Sequence, residues 1–211
     1  YTLSDGTTTS SGTLTVNVGT NAVPVANAAT ISPSEDTPIG VPLSGSDSDG
    51  TIASVTITAG PSAAQGQLLY DADGNPGTPT VAVPLGTALT PAQAATVTFV
   101  PAPNYNGPVD PVSFIVTDNA GASSSAASVT INNVTPVNDA PVAGPDSAST
   151  PFDTPIANIN VLGNDSDPDG DVLSVSGASV NPAQGTVTVN PDGSINFTPA
   201  AGVSGPVVIS Y

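Results

Sequence analysis

The sequence predicts an all-β protein built from tandem β-sandwich modules. Short runs rich in Val, Ile and Thr alternate apolar with polar residues, which is the period of half-buried strands. Breakers separate these runs, with 21 Gly and 23 Pro among 211 residues. No helical stripe is present, and only P-A-Q-A-A (91–95) predicts a single helical turn. Because the strand period persists between the breakers, the composition favours a sandwich over disorder.

The predicted strands share this alternation. They are T-L-T-V-N-V (13–18), A-S-V-T-I-T (53–58), A-T-V-T-F-V (95–100), V-S-F-I-V-T (112–117), A-S-V-T-I-N (127–132), G-T-V-T-V-N (185–190) and S-I-N-F-T (194–198). Aromatic residues make up only 4% of the chain, so Val, Ile, Leu and Ala must fill the cores. Tyr1, Phe114 and Tyr211 stand at matching places in similar segments, and we expect them to fill the same core position.

The composition excludes several classes of function. The chain has no Lys, Arg, His or Cys and a net charge of −17. It therefore lacks an imidazole base, a thiolate and a Schiff-base amine, and its acids fall at predicted turns rather than in a cleft, so we expect no enzyme. Without a basic patch, nucleic-acid binding is not expected. No run of about 18 apolar residues predicts a membrane span. The remaining carboxylate, amide, hydroxyl and carbonyl oxygens suit hard cations.

Internal repetition organises the chain. F-I-V-T-D-N-A-G (114–121) matches Y-T-L-S-D-G (1–6), and the strands that follow them match as well. V-V-I-S-Y (207–211) matches P-V-S-F (111–114), and S-E-D-T-P-I (34–39) matches P-F-D-T-P-I (151–156). Fixed internal similarity of this kind is the signature of a repeat architecture.

These matches predict five segments. Residues 1–18 form the terminal hairpin of a preceding module, 19–23 a linker, 24–133 a complete module, 134–140 a second linker, and 141–211 a module lacking its final hairpin. We expect an excerpt of a longer array in which copies of the repeat follow head to tail. An open sheet edge in the last module needs a partner. Covalent continuation is the preferred expectation, and donation of residues 1–18 by another copy is the alternative.

One acidic stretch, N-V-L-G-N-D-S-D-P-D-G-D-V-L-S-V (160–175), predicts a metal site. Asp165, Asp167, Asp169 and Asp171 alternate with other residues, among them Pro168 and Gly170, which reverse the chain. Carboxylates so close together repel one another unless a cation lies among them. Calcium accepts roughly 6–8 oxygen ligands in irregular geometry and is the predicted ion. The alternative is an acidic surface turn, since Asp, Pro and Gly are also turn residues.

The segment from N-D-A-P-V-A to I-N-F-T-P (138–199) resembles the Ig-like and cadherin-like repeats of giant bacterial surface adhesins. The middle module, with E-D-T-P-I, S-D-S-D-G and P-N-Y-N-G-P, resembles a longer variant of the same group. The resemblance implies Greek-key sandwiches, secretion, head-to-tail arrays and calcium at module junctions.

By this resemblance, further oxygen ligands are expected in both modules and in the linker between them. They are Glu35, Asp47 and Asp49 in the middle module, Asn138 and Asp139 in the linker, and Asp165 and Asp167 in the next module. Which of them share an ion is left open, and ordinary turns at Asp139 and at 47–50 are the alternatives. The first linker, 19–25, has no counterpart of Asp139, so the two junctions are expected to differ in rigidity.

The predicted function is that of a structural repeat unit in a long fibre or adhesin stalk on the bacterial cell surface, made rigid by Ca²⁺. Two alternatives remain. The loops could bind a glycan or another surface directly. In the stalk interpretation, a surface or glycan ligand would instead be bound by a part of the protein outside this segment. The chain could also be a filament subunit assembled by non-covalent strand donation.

Overall fold

The computed structural model describes residues 1–75, 77 and 80–211, which divide into two compact units, 1–135 and 136–211. The regular structure is almost entirely β, which confirms the predicted fold class. The helical turn predicted at 91–95 is α1 (Pro91–Ala94). Its capping box joins Thr90 N to Gln93 Oε1 at 2.9 Å and Gln93 N to Thr90 Oγ1 at 3.3 Å. Within the described ranges, no helix is long and apolar enough to cross a membrane.

The first unit is a β-sandwich preceded by a small hairpin. Its strands are β1 (Thr2–Ser4), β2 (Thr9–Ser11), β3 (Val25–Asn27), β4 (Ala29–Ile31), β5 (Ile39–Gly40), β6 (Ser44–Ser46), β7 (Ile52–Ala59), β8 (Gly66–Asp71), β9 (Thr80–Ala82), β10 (Ala88–Leu89), β11 (Thr98–Pro101), β12 (Val112–Asp118) and β13 (Ala127–Ile131). One sheet has the order β10-β7-β12-β13-β4 and another the order β5-β11-β8-β9, while β1-β2 and β3-β6 pair separately. The core lies between the two large sheets.

Strand β12 lies at the centre of the larger sheet, between β7 and β13. Its sequence V-S-F-I-V-T-D alternates, and Val112, Phe114 and Val116 are fully buried. The neighbouring β13 pairs antiparallel with β12 and parallel with β4, so that Val129 lies opposite Ala29. The sheet therefore joins an early strand of the sandwich, β4, directly to its last strand, β13.

The second unit is smaller. Its strands are β14 (Ile156–Ile159), β15 (Ser179–Val180), β16 (Gly185–Val189), β17 (Ile195–Pro199) and β18 (Ile209–Ser210). They form a three-stranded sheet, β14-β17-β16, and a pair, β15-β18. Val161, Ile195 and Phe197 are its buried apolar side chains.

Both units contain the same turn, formed by the repeated tripeptide A-Q-G. Gly66 opens β8 opposite Pro101, and Gly185 opens β16 opposite Pro199. The two glycines have φ angles of 148° and 153°, a region that other residues rarely adopt. Each lies against an aromatic ring of the facing strand, Phe99 or Phe197. The internal repetition in the sequence is thus present in the backbone as well.

Two expectations, one for residues 13–18 and one for Tyr1 and Tyr211, are wrong. Residues 13–18 form no strand, because in the described structure the hairpin pairs Thr2 with Ser11 and leaves 13–18 without a partner strand. Tyr1 and Tyr211 are not core residues, since they are 72% and 39% exposed whereas Phe114 is 0% exposed. A strand and its buried face form only where a neighbouring strand supplies the other half of the ladder.

Candidate functional site

The linker that precedes each sandwich is held by an acidic loop of that same sandwich. In the first unit the backbone N–H of Ala22 donates to both carboxylate oxygens of Asp49, at 2.9 and 3.2 Å. In the second unit the backbone N–H of Asp139 donates to Asp169 Oδ2 at 2.6 Å. Ala22 and Asp139 each stand two residues before a proline, so the two contacts are equivalent.

A second carboxylate, Asp118 at the end of β12, also holds the first linker. Its side chain is 3% exposed. Oδ2 accepts a hydrogen bond from Asn21 Nδ2 at 2.8 Å, and Oδ1 accepts from the backbone N–H groups of Ala120 and Ala122 at 2.8 and 2.9 Å. The bond from Asn21, aided by the backbone donors and opposed by burial, lowers the pKa of Asp118 below its usual value.

Replacing Asp118 with asparagine is expected to reduce the acid sensitivity of the first unit. A lowered folded-state pKa contributes stability above about pH 4, and that stability is lost as the pH falls through the folded-state pKa. Asp118→Asn should therefore be less stable than the original chain at neutral pH, and the difference should shrink as the pH falls. Urea unfolding at several pH values measures it.

The control removes the same charge at an exposed position, Asp110→Asn. Measured at the same neutral and acid pH values, it separates the loss of one negative charge from the loss of the contacts that Asp118 makes. A stability difference for Asp118→Asn that is constant across that pH range would contradict the role given to this carboxylate.

Asp47 has no hydrogen-bond partner in the part of the chain that the structure describes, although both of its carboxylate oxygens are buried. Its Oδ2 would lie 2.5 Å from a Cβ built on Gly50, and Asn119 Oδ1 would lie closer still. Oδ2 of Asp47 and Oδ1 of Asn119 therefore face the same point beside the Gly50 backbone. Asn119 Oδ1 also accepts the backbone N–H of Thr51 at 2.8 Å. The chain has no Lys or Arg to neutralise this charge.

Three of the four aspartates of 165–171 accept backbone N–H groups, Asp169 from Asp139 as described above. Asp165 Oδ1 accepts from Gly144 at 2.7 Å, and Asp167 Oδ1 accepts from Asp169 at 2.9 Å and from Asp171 at 3.4 Å. The bonds of Asp167 close the loop on itself. Asp171 is exposed.

The remaining predicted ligands, Glu35 and Asn138, both make contacts with residues of the second linker, 134–140. Glu35 is 1% exposed, and its backbone N–H donates to the Thr135 carbonyl at 3.0 Å. Asn138 Nδ2 donates to the Asp139 carbonyl at 2.8 Å. Within residues 1–75, 77 and 80–211, no three acidic side chains form a group that could hold a metal ion. The assignment of calcium to the nine predicted residues stays a prediction.

Sequence reasoning missed Asn21, Ala22, Asp118 and Asn119 as parts of this site. The available signal was the common spacing N-x-x-P of the two linkers, which aligns Asn21 with Asn138 and Ala22 with Asp139. That alignment identifies the linker as a structural element of each module. It does not reveal that a backbone N–H is the group bound.

A family model described as a bacterial Ig domain matches residues 21–132 and again residues 138–211. No curated protein and no solved structure matches the chain significantly.

Proposed function

Because the chain belongs to the bacterial Ig domain family, which its two consecutive matches show, we propose that it is a spacer in a long extracellular fibre or adhesin stalk. These two matches confirm the resemblance of the motifs to bacterial Ig-like tandem repeats. In this proposal, neighbouring copies of the repeat follow head to tail, and each module adds length. The fibre lies at the bacterial cell surface and displays a ligand-binding region outside this segment.

The contact that supports the proposal best is the docking of each linker onto its own module. Ala22 is bound to Asp49, and Asp139 is bound to Asp169. The stiffness of a linker decides how well the spacing between two domains is fixed. Here the residue two positions before the first proline is fixed to the following sandwich, which shortens the freely rotating segment. A stalk needs this property, because flexible joints reduce its reach.

Tandem copies of the 211-residue chain provide the test. The maximum dimension measured by small-angle X-ray scattering should rise linearly with one, two and four copies. Replacing Asp49 and Asp169 with alanine should make the increment per copy smaller, because the linkers are released. If the maximum dimension rises much less than linearly with copy number, as it does in a compact assembly, the spacer role is refuted.

The proposal includes calcium at the loop of the first module. The support is the pair of buried oxygens of Asp47, which lack a partner in the described structure, together with Asn119 Oδ1 beside them. A buried carboxylate without a hydrogen bond or counter-charge destabilises the fold. A divalent cation bound there would neutralise it and would use carboxylate and amide oxygens, which calcium prefers. In unit 2, Asp139, Asp165, Asp167 and Asp169 would supply such oxygens.

Calcium is expected to raise the melting temperature of the first module. A ligand that binds only the folded state stabilises it by about 2.7 kcal/mol at 100 times its Kd. Gly50→Ala should abolish this response, because the added methyl group occupies the point that the oxygens face. Gly40→Ala is the matched control, since nothing lies within 4 Å of its Cβ position. Calorimetric titration and thermal unfolding measure both.

Asp47→Asn separates ion binding from general charge screening. This variant removes the buried charge, so it should melt higher than the original chain without calcium and should not respond to calcium. Sodium chloride of equal ionic strength should not reproduce the calcium effect. If salt alone gives the same stabilisation, or if Asp47→Asn responds like the original chain, the first module has no calcium site at this loop.

A further inference from the structure

Strand β9 (Thr80–Ala82) forms an open edge of the first unit. It is the last strand in the order β5-β11-β8-β9, and no further strand lies beside it in the described part of the chain. The backbone N–H of Val83, the next residue, donates to the Leu68 carbonyl of β8 at 3.0 Å. Because bonding directions alternate along an antiparallel strand, the N–H and C=O groups of Thr80 and Ala82 point away from β8. This edge therefore offers backbone groups to another strand.

The sequence of β9 does not protect this edge. Native edge strands usually carry a charge, a proline or a bulge that prevents pairing with another chain. T-V-A has no charge and no proline, and its register with β8 is unbroken. At the opposite edge of the sheet, Asp36 and Pro38 precede β5. Val81 lies opposite Tyr70 and is 43% exposed, so an apolar, β-branched side chain stands at the unprotected edge.

Charge favours a second copy of the chain as the partner. Asp73 and Asp110 have no acid between them, so residues 74–109 are the longest uncharged stretch in a chain of net charge −17. Asp71, on the neighbouring strand β8, is only 4% exposed. Two copies repel each other over most of their surface, and this repulsion is weakest where β9 meets β9. A basic partner would be drawn to the acidic loops instead.

We propose that β9 of one copy pairs antiparallel with β9 of a second copy about a two-fold axis at Val81. Thr80 of each copy lies opposite Ala82 of the other and exchanges N–H···O=C bonds with it. The two Val81 side chains lie opposite each other in a non-hydrogen-bonded pair, where side chains approach most closely. The contact is isologous, so each module binds one other module.

This pairing binds stalks side by side, which goes beyond the spacer role. Because the two strands are antiparallel, the paired modules point in opposite directions, an arrangement available to stalks that extend from facing cells. The contact is short, since Pro84 follows Val83 and cannot donate to a ladder. One module therefore dimerises weakly. Tandem copies should associate at least about a hundredfold more tightly, because tethered contacts act together.

The chain has no cysteine, so one introduced cysteine reports the pairing directly. In Val81→Cys the two thiols lie opposite each other at a Cα separation of about 4.5 Å, which a disulfide can span. Oxidised glutathione should link these chains into dimers at least about tenfold faster than it links Val25→Cys chains. Val25 is the matched control, because it is also a strand valine and is more exposed, at 59%. Non-reducing gels measure both rates.

Ala82→Pro tests the backbone bonds of the edge. It removes an N–H that points away from β8 and leaves the bonds between β8 and β9 in place. In a four-copy tandem chain, sedimentation velocity should show self-association weakened at least about tenfold, because each contact loses two donors. Ala82→Val retains the N–H and should associate like the original. If Ala82→Pro does not fold, Val81→Asp replaces it, since it places two like charges opposite each other.

Added salt should strengthen the association of the original tandem chain by screening its charges. Equal cross-linking rates for Val81→Cys and Val25→Cys would overturn the proposal. So would a four-copy chain that stays monomeric at every salt concentration, or one whose association survives the edge variant, which would place the contact on another surface. Scattering from tandem chains that carry the edge variant measures their reach without this contact, so the spacer role and the edge pairing fail separately.

Discussion

Replacing Phe114 with alanine is expected to lower the free energy of unfolding of the first module by about 3–5 kcal/mol. Phe114 is 0% exposed on the central strand of the larger sheet, between β7 and β13. Its removal loses the burial of a whole ring and leaves a cavity that the rigid ladders on both sides cannot close. Domains of this kind are stable by only about 5–15 kcal/mol, so this single change removes a large share.

Urea unfolding followed by tyrosine fluorescence measures the loss, since the chain has no Trp. Phe152→Ala is the control: it removes the same kind of side chain, but Phe152 is 65% exposed. Its effect should stay within about 0.5 kcal/mol. A loss at Phe114 no greater than that at Phe152 would show that β12 is not at the centre of the core.

Gly185→Ala is expected to destabilise the second module by about 2–6 kcal/mol, combining backbone strain with overpacking. The φ angle of Gly185 is 153°, which an alanine rarely adopts. An added Cβ would lie 2.6 Å from Cε2 of Phe197 and closer still to the Thr198 carbonyl oxygen. Both obstacles belong to the facing strand β17, so neither can move without breaking the hairpin.

Two other glycines of the same module separate these contributions. Gly202→Ala meets only the backbone term, of about 1–2 kcal/mol, since its φ is 80° and nothing lies within 4 Å of its Cβ position. Gly177→Ala should cause neither backbone strain nor overpacking, since nothing lies within 4 Å of its Cβ position and its φ is outside the left-handed region. Hydrogen exchange assigns each loss to its module. If Gly185→Ala costs no more than Gly202→Ala, the close approach to Phe197 does not constrain the fold.

The periodicity of the sequence predicts most strands, because a half-buried strand must alternate wherever it pairs. Strands β7, β12, β13, β16 and β17 fall on predicted runs. Residues 13–18 alternate equally well and form no strand in the described structure. Alternation records which face a strand would bury, whereas pairing depends on a neighbour. The sequence also overestimates burial at Tyr1, whose ring lies beside Gly12 and is 72% exposed.

The candidate site was predictable only in part. The acidic loops at 47–50 and 165–171 are visible as clusters of Asp with Gly, and the structure brings a carboxylate of each loop to a linker. The partner is a backbone N–H, which every residue except proline possesses, so the sequence gives no sign of it. The pairing of Asn21 with Asp118 spans 97 residues and depends on the end of β12 reaching the linker.

The parallel pairing of β4 with β13 has a mechanical consequence. These strands lie near opposite ends of the module's sequence and run side by side, with Ala29, Thr30 and Ile31 opposite Val129, Thr130 and Ile131. When tension pulls the two ends of the module apart, the strands slide along each other, and their hydrogen bonds share the load instead of opening one at a time. Rupture must then break the whole ladder together. A thread of such modules would resist drag from flowing liquid until a sharp yield point.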